Sequence, residues 1–169
     1  MLPRVLVSYP QSSGRGNRED LPIPPLNDDG LLPVGIYECT LDEIGETFGA
    51  FKVTDRRVRL FEALQKYASE AFATGLVAEI VVDGSFVTAK DSPGDVDLVI
   101  VLVAGVDLAT REFSPAEYNV VSKRRARARC GFDVFVVVDR TERHETSVTY
   151  FTQLKGHPGV FKGLLRVRP

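Results

Sequence analysis

Asp95-Val96-Asp97-Leu98-Val99-Ile100-Val101-Leu102-Val103 opens on two acids and continues as an unbroken run of aliphatic residues, nearly all strong strand formers. Such a run reads as a β-strand. Side chains alternate along a strand, so Asp95 and Asp97 project from one face with Cα atoms roughly 6.6 Å apart. Carboxylates so placed can share one divalent ion, or bridge two ions about 3.5 to 4 Å apart. An Asp-x-Asp pair also occurs at solvated strand starts, here after Ser92-Pro93-Gly94. Two charges opening an otherwise apolar strand are nevertheless costly unless something compensates them.

Upstream, Glu79-Ile80-Val81-Val82-Asp83 is a second β-branched run, and it ends in Gly84-Ser85. The glycine permits a turn without a Cβ, so backbone N–H groups and the Ser85 hydroxyl can approach phosphate oxygens closely. Downstream, Phe132-Asp133-Val134-Phe135-Val136-Val137-Val138 is a third apolar strand with a single acid near its start. Taken alone, Asp133 reads as a strand-end acid facing water. Three acids at the ends of successive strand-like segments favour convergence, which makes Asp133 a candidate third ligand.

The helices are marked by their caps. Thr40-Leu41-Asp42-Glu43 is a capping box that predicts a short helix over residues 41–48, stopped by Gly49. Residues 55–74 carry Phe61, Leu64, Ala68, Ala71 and Phe72 at helical spacing, with Arg57, Arg59, Glu62, Lys66 and Glu70 interleaved and Gly75 as the stop. The aromatic residues of that stripe read as core. Ser114-Pro115-Ala116-Glu117 is a second capping box and predicts a basic helix over residues 114–129. A further helix over 147–155 and a last strand over 163–167 follow, separated by the Gly156-His157-Pro158-Gly159 turn. Strands alternating with helices imply an α/β protein of the α+β type, with helices packed on a mixed sheet.

With 169 residues, 44% apolar and 26% charged, the chain has the composition of a soluble globular protein, and its length suits one domain. That domain is expected over residues 30–169. Residues 1–29, rich in Pro, Gly, Ser and Asn, read as a flexible arm in which 2–9 could add an edge strand. A net charge of −2 exerts no global pull on nucleic acid. The local exception is Lys123, Arg124, Arg125, Arg127 and Arg129, five cations within seven residues. They read either as a solvated helix end favoured by the helix dipole or as contacts for a triphosphate or RNA backbone, with Lys123 and Arg124 as the candidates. Cys39 and Cys130 lack zinc-site or disulfide spacing, which suits a reduced compartment. No run reaches the roughly 18 apolar residues of a membrane span, and residues 1–20 lack a signal-peptide core, so a cytoplasmic protein without membrane contact is expected. His144 and His157 lie in polar, turn-rich stretches and read as surface residues.

The pattern of Gly84-Ser85, nine intervening residues, Asp95-Val96-Asp97 and then Asp133 resembles the signature of the polymerase-β-like nucleotidyltransferase superfamily: a hydrophobic residue with Gly-Ser, Asp-x-Asp, and a third Asp on a later strand. The likeness is closest to its small prokaryotic, minimal members. Gly30-Leu31-Leu32-Pro33-Val34-Gly35-Ile36-Tyr37, the segment from Val82 to Lys90, and Lys162-Gly163-Leu164-Leu165-Arg166-Val167 also look like a poorly characterised bacterial family of such proteins, so that the resemblance spans residues 26–169. It implies a nucleotidyltransferase-like sheet and an NTP substrate. It also implies two Mg²⁺ ions, with Mn²⁺ as the alternative, held by Asp95, Asp97 and Asp133. Gly84 and Ser85 would lie on the β- and γ-phosphates. Many relatives carry an arginine and another glycine soon after Gly-Ser, where this chain has Phe86-Val87-Thr88-Ala89-Lys90, leaving Lys90 as a candidate phosphate contact. The acceptors implied are a protein, an RNA or a small molecule, and some relatives serve as toxin or antitoxin components of bacterial two-gene systems.

Two other readings compete with transfer of a nucleoside monophosphate. One is a catalytically inactive module of the same fold that acts through a partner protein. The other is a phosphate-handling hydrolase with Asp133 as base, set back by the lack of a histidine near the acids in sequence.

Overall fold

The computed structural model describes residues 22–169. Much of the expected arm, including its candidate edge strand, lies outside the described residues. Within the described part of the arm, Ile23 is buried in the core.

Among the described residues five strands form one mixed sheet: β1 (Ile36–Glu38), β2 (Val77–Asp83), β3 (Asp97–Leu102), β4 (Asp133–Val138) and β5 (Leu164–Val167), in the order β1-β5-β2-β3-β4. β2 is antiparallel to β3 and to β5, while β3 runs parallel to β4 and β1 parallel to β5. The fold is therefore α+β, as the alternation of strand and helix signals predicts.

Each face of the sheet buries its own apolar set, because alternate residues point to opposite sides. On one face Val82, Leu98, Ile100, Val134 and Leu165 meet four helices: α1 (Leu41–Phe48), α2 (Arg56–Ala73), α3 (Pro115–Val121) and α4 (Lys123–Cys130). On the other, Val81, Val99, Val101, Val137 and Leu164 are covered, among the described residues, by one helix, α5 (Glu142–Thr152), through Val148 and Phe151. The second face is the thinner one.

Both capping boxes form as expected. Glu43 accepts from the Thr40 amide at 2.7 Å, and Glu117 accepts from the Ser114 amide at 2.8 Å. The α2 stripe is core: Leu64, Ala68 and Ala71 are buried, and Phe61 and Phe72 pack against them. Tyr67 anchors α2 to α3 by donating to the Val120 carbonyl at 2.7 Å, and its ring meets Phe132 edge to face.

The single basic helix expected over 114–129 is two helices. Ser122 leaves helical geometry (φ −85°, ψ 111°) and its hydroxyl accepts from the Arg125 amide, so it ends α3 and caps α4. The break lets both Val120 and Ala126 reach the core. The helix expected at 147–155 begins earlier, because Thr141 caps it by accepting from the His144 amide at 3.2 Å, and it ends at Thr152. No helix among the described residues is long and apolar enough to cross a membrane.

Candidate active site

The register of β2, β3 and β4, the three strands at one side of the sheet, assembles the site. Asp83 on β2 pairs with Asp97 on β3, and Asp97 pairs with Asp133 on β4. All three side chains leave the same face, continuing the rows Val81–Asp83, Val99–Asp97 and Phe135–Asp133 beyond the edge of α5. Asp95 lies two residues before Asp97, just outside the strand. The three acids picked out in the sequence thus come together, and Asp83 joins them. Its signal was available: an acid closing an apolar strand directly before Gly-Ser.

Gly84 explains how the turn and the acids share this space. It adopts φ +86° and ψ −170°, a region essentially closed to residues with a Cβ. A Cβ there would stand 2.3 Å from Asp97 Oδ2. Ser85 then opens a 3-10 turn, Ser85–Val87, and its hydroxyl accepts from the Gly94 amide at 3.4 Å. The loop between the serine and the acids is thereby closed on itself.

Two arginines at the start of α2 brace that loop. Arg57 is buried and donates to the carbonyls of Phe48, Phe86, Thr88 and Lys90. Arg56 donates to the carbonyls of Pro93 and Gly94. Arg57 belongs to the polar residues interleaved with the α2 stripe in the sequence, yet it sits four residues before Phe61, in phase with that stripe. That phase was the signal for its burial.

Two cations oppose the acids, and they differ in kind. Lys162, just before β5, is buried and pairs with the buried Asp83. Arg127 of α4 places Nη1 3.1 Å from Asp95 Oδ2 and 2.9 Å from Asp133 Oδ1, with its side chain 56% exposed. Gly131 makes this reach possible: in left-handed conformation (φ 74°) it ends α4 and turns the chain back into β4. Asp97 has no ion pair or side-chain hydrogen bond among the described residues. Burial, and then repulsion from Asp95, Asp83 and Asp133, push its carboxyl up to about 6, with Lys162 acting in the opposite sense. Burial also raises Asp83, against the pull of Lys162.

The other predicted contacts lie further out. Lys123 stands 4.4 Å from the centroid of the Phe135 ring, a cation–π contact beside β4. Arg124 is exposed; the Tyr118 hydroxyl is held below its ordinary pKa first by a hydrogen bond with Ser122 and then by the charge of Arg124. Lys90 is exposed at the loop tip, its carbonyl held by Arg57. The member of the basic helix that reaches the carboxylates is Arg127. A cleft of about 400 Å³ lined by Phe135, Arg143, Ser147, Tyr150 and Phe151 opens between β4 and α5 on the same face.

The opposite end of this face corrects one expectation. His144 is not a surface residue: its side chain is 15% exposed and lies 3.5 Å from both Glu79 and Asp139. Buried Glu79 also pairs with Arg166 and Arg168. The cluster joins α5 to β2 and β5. His157 is exposed, as expected.

The residues suit a hard divalent cation in kind. The donors are all carboxylate oxygens, and among the described residues Asp97 makes no ion pair or side-chain hydrogen bond that would compete for its oxygens. Among the described residues no group of three or more His, Cys, Asp or Glu side chains is drawn together closely enough to enclose a metal ion. Instead, a guanidinium joins Asp95 to Asp133.

The model of a family of unknown function, DUF6932, matches residues 24–168. No curated protein matches the chain, and neither does any solved structure.

Proposed function

The chain belongs to this family, and we propose that it is a metal-dependent nucleotidyltransferase, moving a nucleoside monophosphate from an NTP to an acceptor hydroxyl with release of pyrophosphate. The observation that carries the proposal is the register of Asp97 against Asp133, with Asp95 beside them and Gly84 pressed against the Asp97 carboxylate. A phosphate-sized turn and a carboxylate cluster therefore share one open end of the sheet.

Asp95, Asp97 and Asp133 would hold the divalent cation, Mg²⁺ or Mn²⁺, which when bound neutralises the triphosphate and acidifies the acceptor oxygen. The chain's own residues supply the rest. The amides that follow Gly84 and the Ser85 hydroxyl orient the triphosphate, on a loop that Arg56 and Arg57 hold in one shape. Positioning of this kind is the main contribution a protein makes to phosphoryl-type transfer. Asp133, with a side chain 51% exposed, is open to an incoming hydroxyl. Its carboxylate takes the hydroxyl proton as the oxygen bonds to the α-phosphorus and the bond to the β-phosphate oxygen breaks.

The test is incubation with labelled ATP, CTP, GTP or UTP, a divalent cation, and total cellular RNA and protein. Label entering one acceptor fraction, and lost in Asp97→Asn, supports transfer. Label in no fraction, or equal label with Asp97→Asn, refutes it.

A second reading is an inactive module that works through a partner protein. The Arg127 bridge favours it, because a protein cation ties two of the three acids together. A thermal-shift titration separates the two: stabilisation by nucleotide that requires metal supports the enzyme, and its absence supports the module.

A further inference from the structure

Among the described residues the carboxylate cluster has one buried counter-cation, Lys162, and one exposed counter-cation, Arg127. Lys162 is buried with its partner, and breaking such a pair would strand a charge away from water. Arg127 is held differently. Its side chain is 56% exposed, and those of its partners Asp95 and Asp133 are 32% and 51% exposed. Ion pairs in that setting contribute little, because water and salt screen them, and are weak enough to exchange. The neighbouring cations have other engagements: Arg129 pairs with Glu70 at 2.6 Å, and Lys123 lies over the Phe135 ring.

Asp95 and Asp133 are also two of the three carboxylates assigned above to the divalent cation, so guanidinium and metal claim the same oxygens. We propose that Arg127 is an exchangeable place-holder: it neutralises Asp95 and Asp133 in the empty site, and it yields them when the metal arrives with a nucleotide, whose triphosphate it then binds. This inference rests on the nucleotidyltransferase reading and deepens it. A guanidinium suits both roles, since its planar fork matches carboxylate and phosphate oxygens alike. The exchange makes metal and nucleotide binding mutually dependent. Bare metal must displace Arg127 without offering it a new anion, whereas the metal–nucleotide complex offers one, and linkage requires each ligand to strengthen the other by the same factor.

The experiment is a Mn²⁺ titration of the full chain followed by electron paramagnetic resonance, with and without a non-hydrolysable α,β-methylene NTP. Arg127→Gln is expected to bind bare Mn²⁺ roughly three- to tenfold more tightly than the wild type, the scale set by two half-exposed ion pairs. The nucleotide analogue should tighten Mn²⁺ binding in the wild type, and most of that gain should be lost in Arg127→Gln and partly restored in Arg127→Lys. Bare Mn²⁺ binding that is unchanged or weaker in Arg127→Gln overturns the proposal, because a merely structural tie would loosen the site. Absence of Mn²⁺ binding in both proteins overturns it too. Tighter Mn²⁺ binding without label transfer from any NTP would leave the place-holder standing and remove the transferase reading. Transfer with an unchanged Mn²⁺ affinity would do the reverse.

Discussion

Replacing Asp97 by Asn is expected to make the metal-free protein more stable while abolishing nucleotide transfer. The carboxyl group sits at about 6 instead of the ordinary 3.8, first through burial and then through repulsion from Asp95, Asp83 and Asp133. A rise of about two pKa units corresponds to about 3 kcal/mol at 1.36 kcal/mol per unit. Asp97 is only partly buried, so solvent screening reduces the usable figure to on the order of 1–2 kcal/mol. The folded protein holds this proton more tightly than the unfolded chain does. Wild-type stability therefore falls as pH rises from 3.8 through about 6, and the whole loss is present above that. Asparagine is nearly isosteric, carries no charge, and disturbs no side-chain hydrogen bond of Asp97 among the described residues. In EDTA at pH 8 the variant should melt higher by about 3–6 °C, on the scale of a domain this size. The gap should shrink towards zero near pH 4. Melting curves of both proteins across that range provide the assay. Equal melting temperatures at pH 8, or a gap that widens on acidification, would refute the electrostatic account of this site.

Other perturbations test the parts that hold the site. Lys162→Met strands Asp83 in the interior and is expected to cost about 3–5 kcal/mol, read as a lower urea midpoint; Asp83→Asn in the same chain should recover much of it. Gly84→Ala forces a Cβ into a glycine-only conformation, 2.3 Å from Asp97 Oδ2. It should cost about 1–3 kcal/mol in strain and remove labelled-NTP transfer. Arg57→Met leaves four buried or half-buried carbonyls without their donor. With roughly 1–3 kcal/mol for each group left unsatisfied, a loss of at least about 3 kcal/mol is expected in chemical denaturation, and a loss below about 1 kcal/mol would show that the loop is braced by something else.

The caps of α1 and α3 were legible in Thr40–Glu43 and Ser114–Glu117, because a capping box is satisfied within four residues of chain. The strands β2, β3 and β4 and the acids at their ends were legible for a similar reason: aliphatic runs and turn glycines act locally. Ser122 was harder to read. A serine directly ahead of the basic run became a boundary, with Val120 on one side of it and Ala126 on the other both buried in the core. The early start of α5 at Thr141 was signalled only by a lone threonine cap.

By itself, then, the sequence determined the elements that local chemistry can decide: capped helices, branched strands, the Gly84 turn, and the presence of Asp95, Asp97 and Asp133 near strand ends. The tertiary structure decided what stands opposite what. Only the β2-β3-β4 register aligns Asp83, Asp97 and Asp133 in one row, and register depends on pairing partners distant in the chain. The counter-charges were settled the same way. Lys162 meets Asp83 across 79 positions, and Arg127 meets Asp95 across 32. Nothing local distinguishes Arg127 from Arg124 or Arg125. Its place on α4 and the turn at Gly131 bring it within 3.1 Å of Asp95 and 2.9 Å of Asp133.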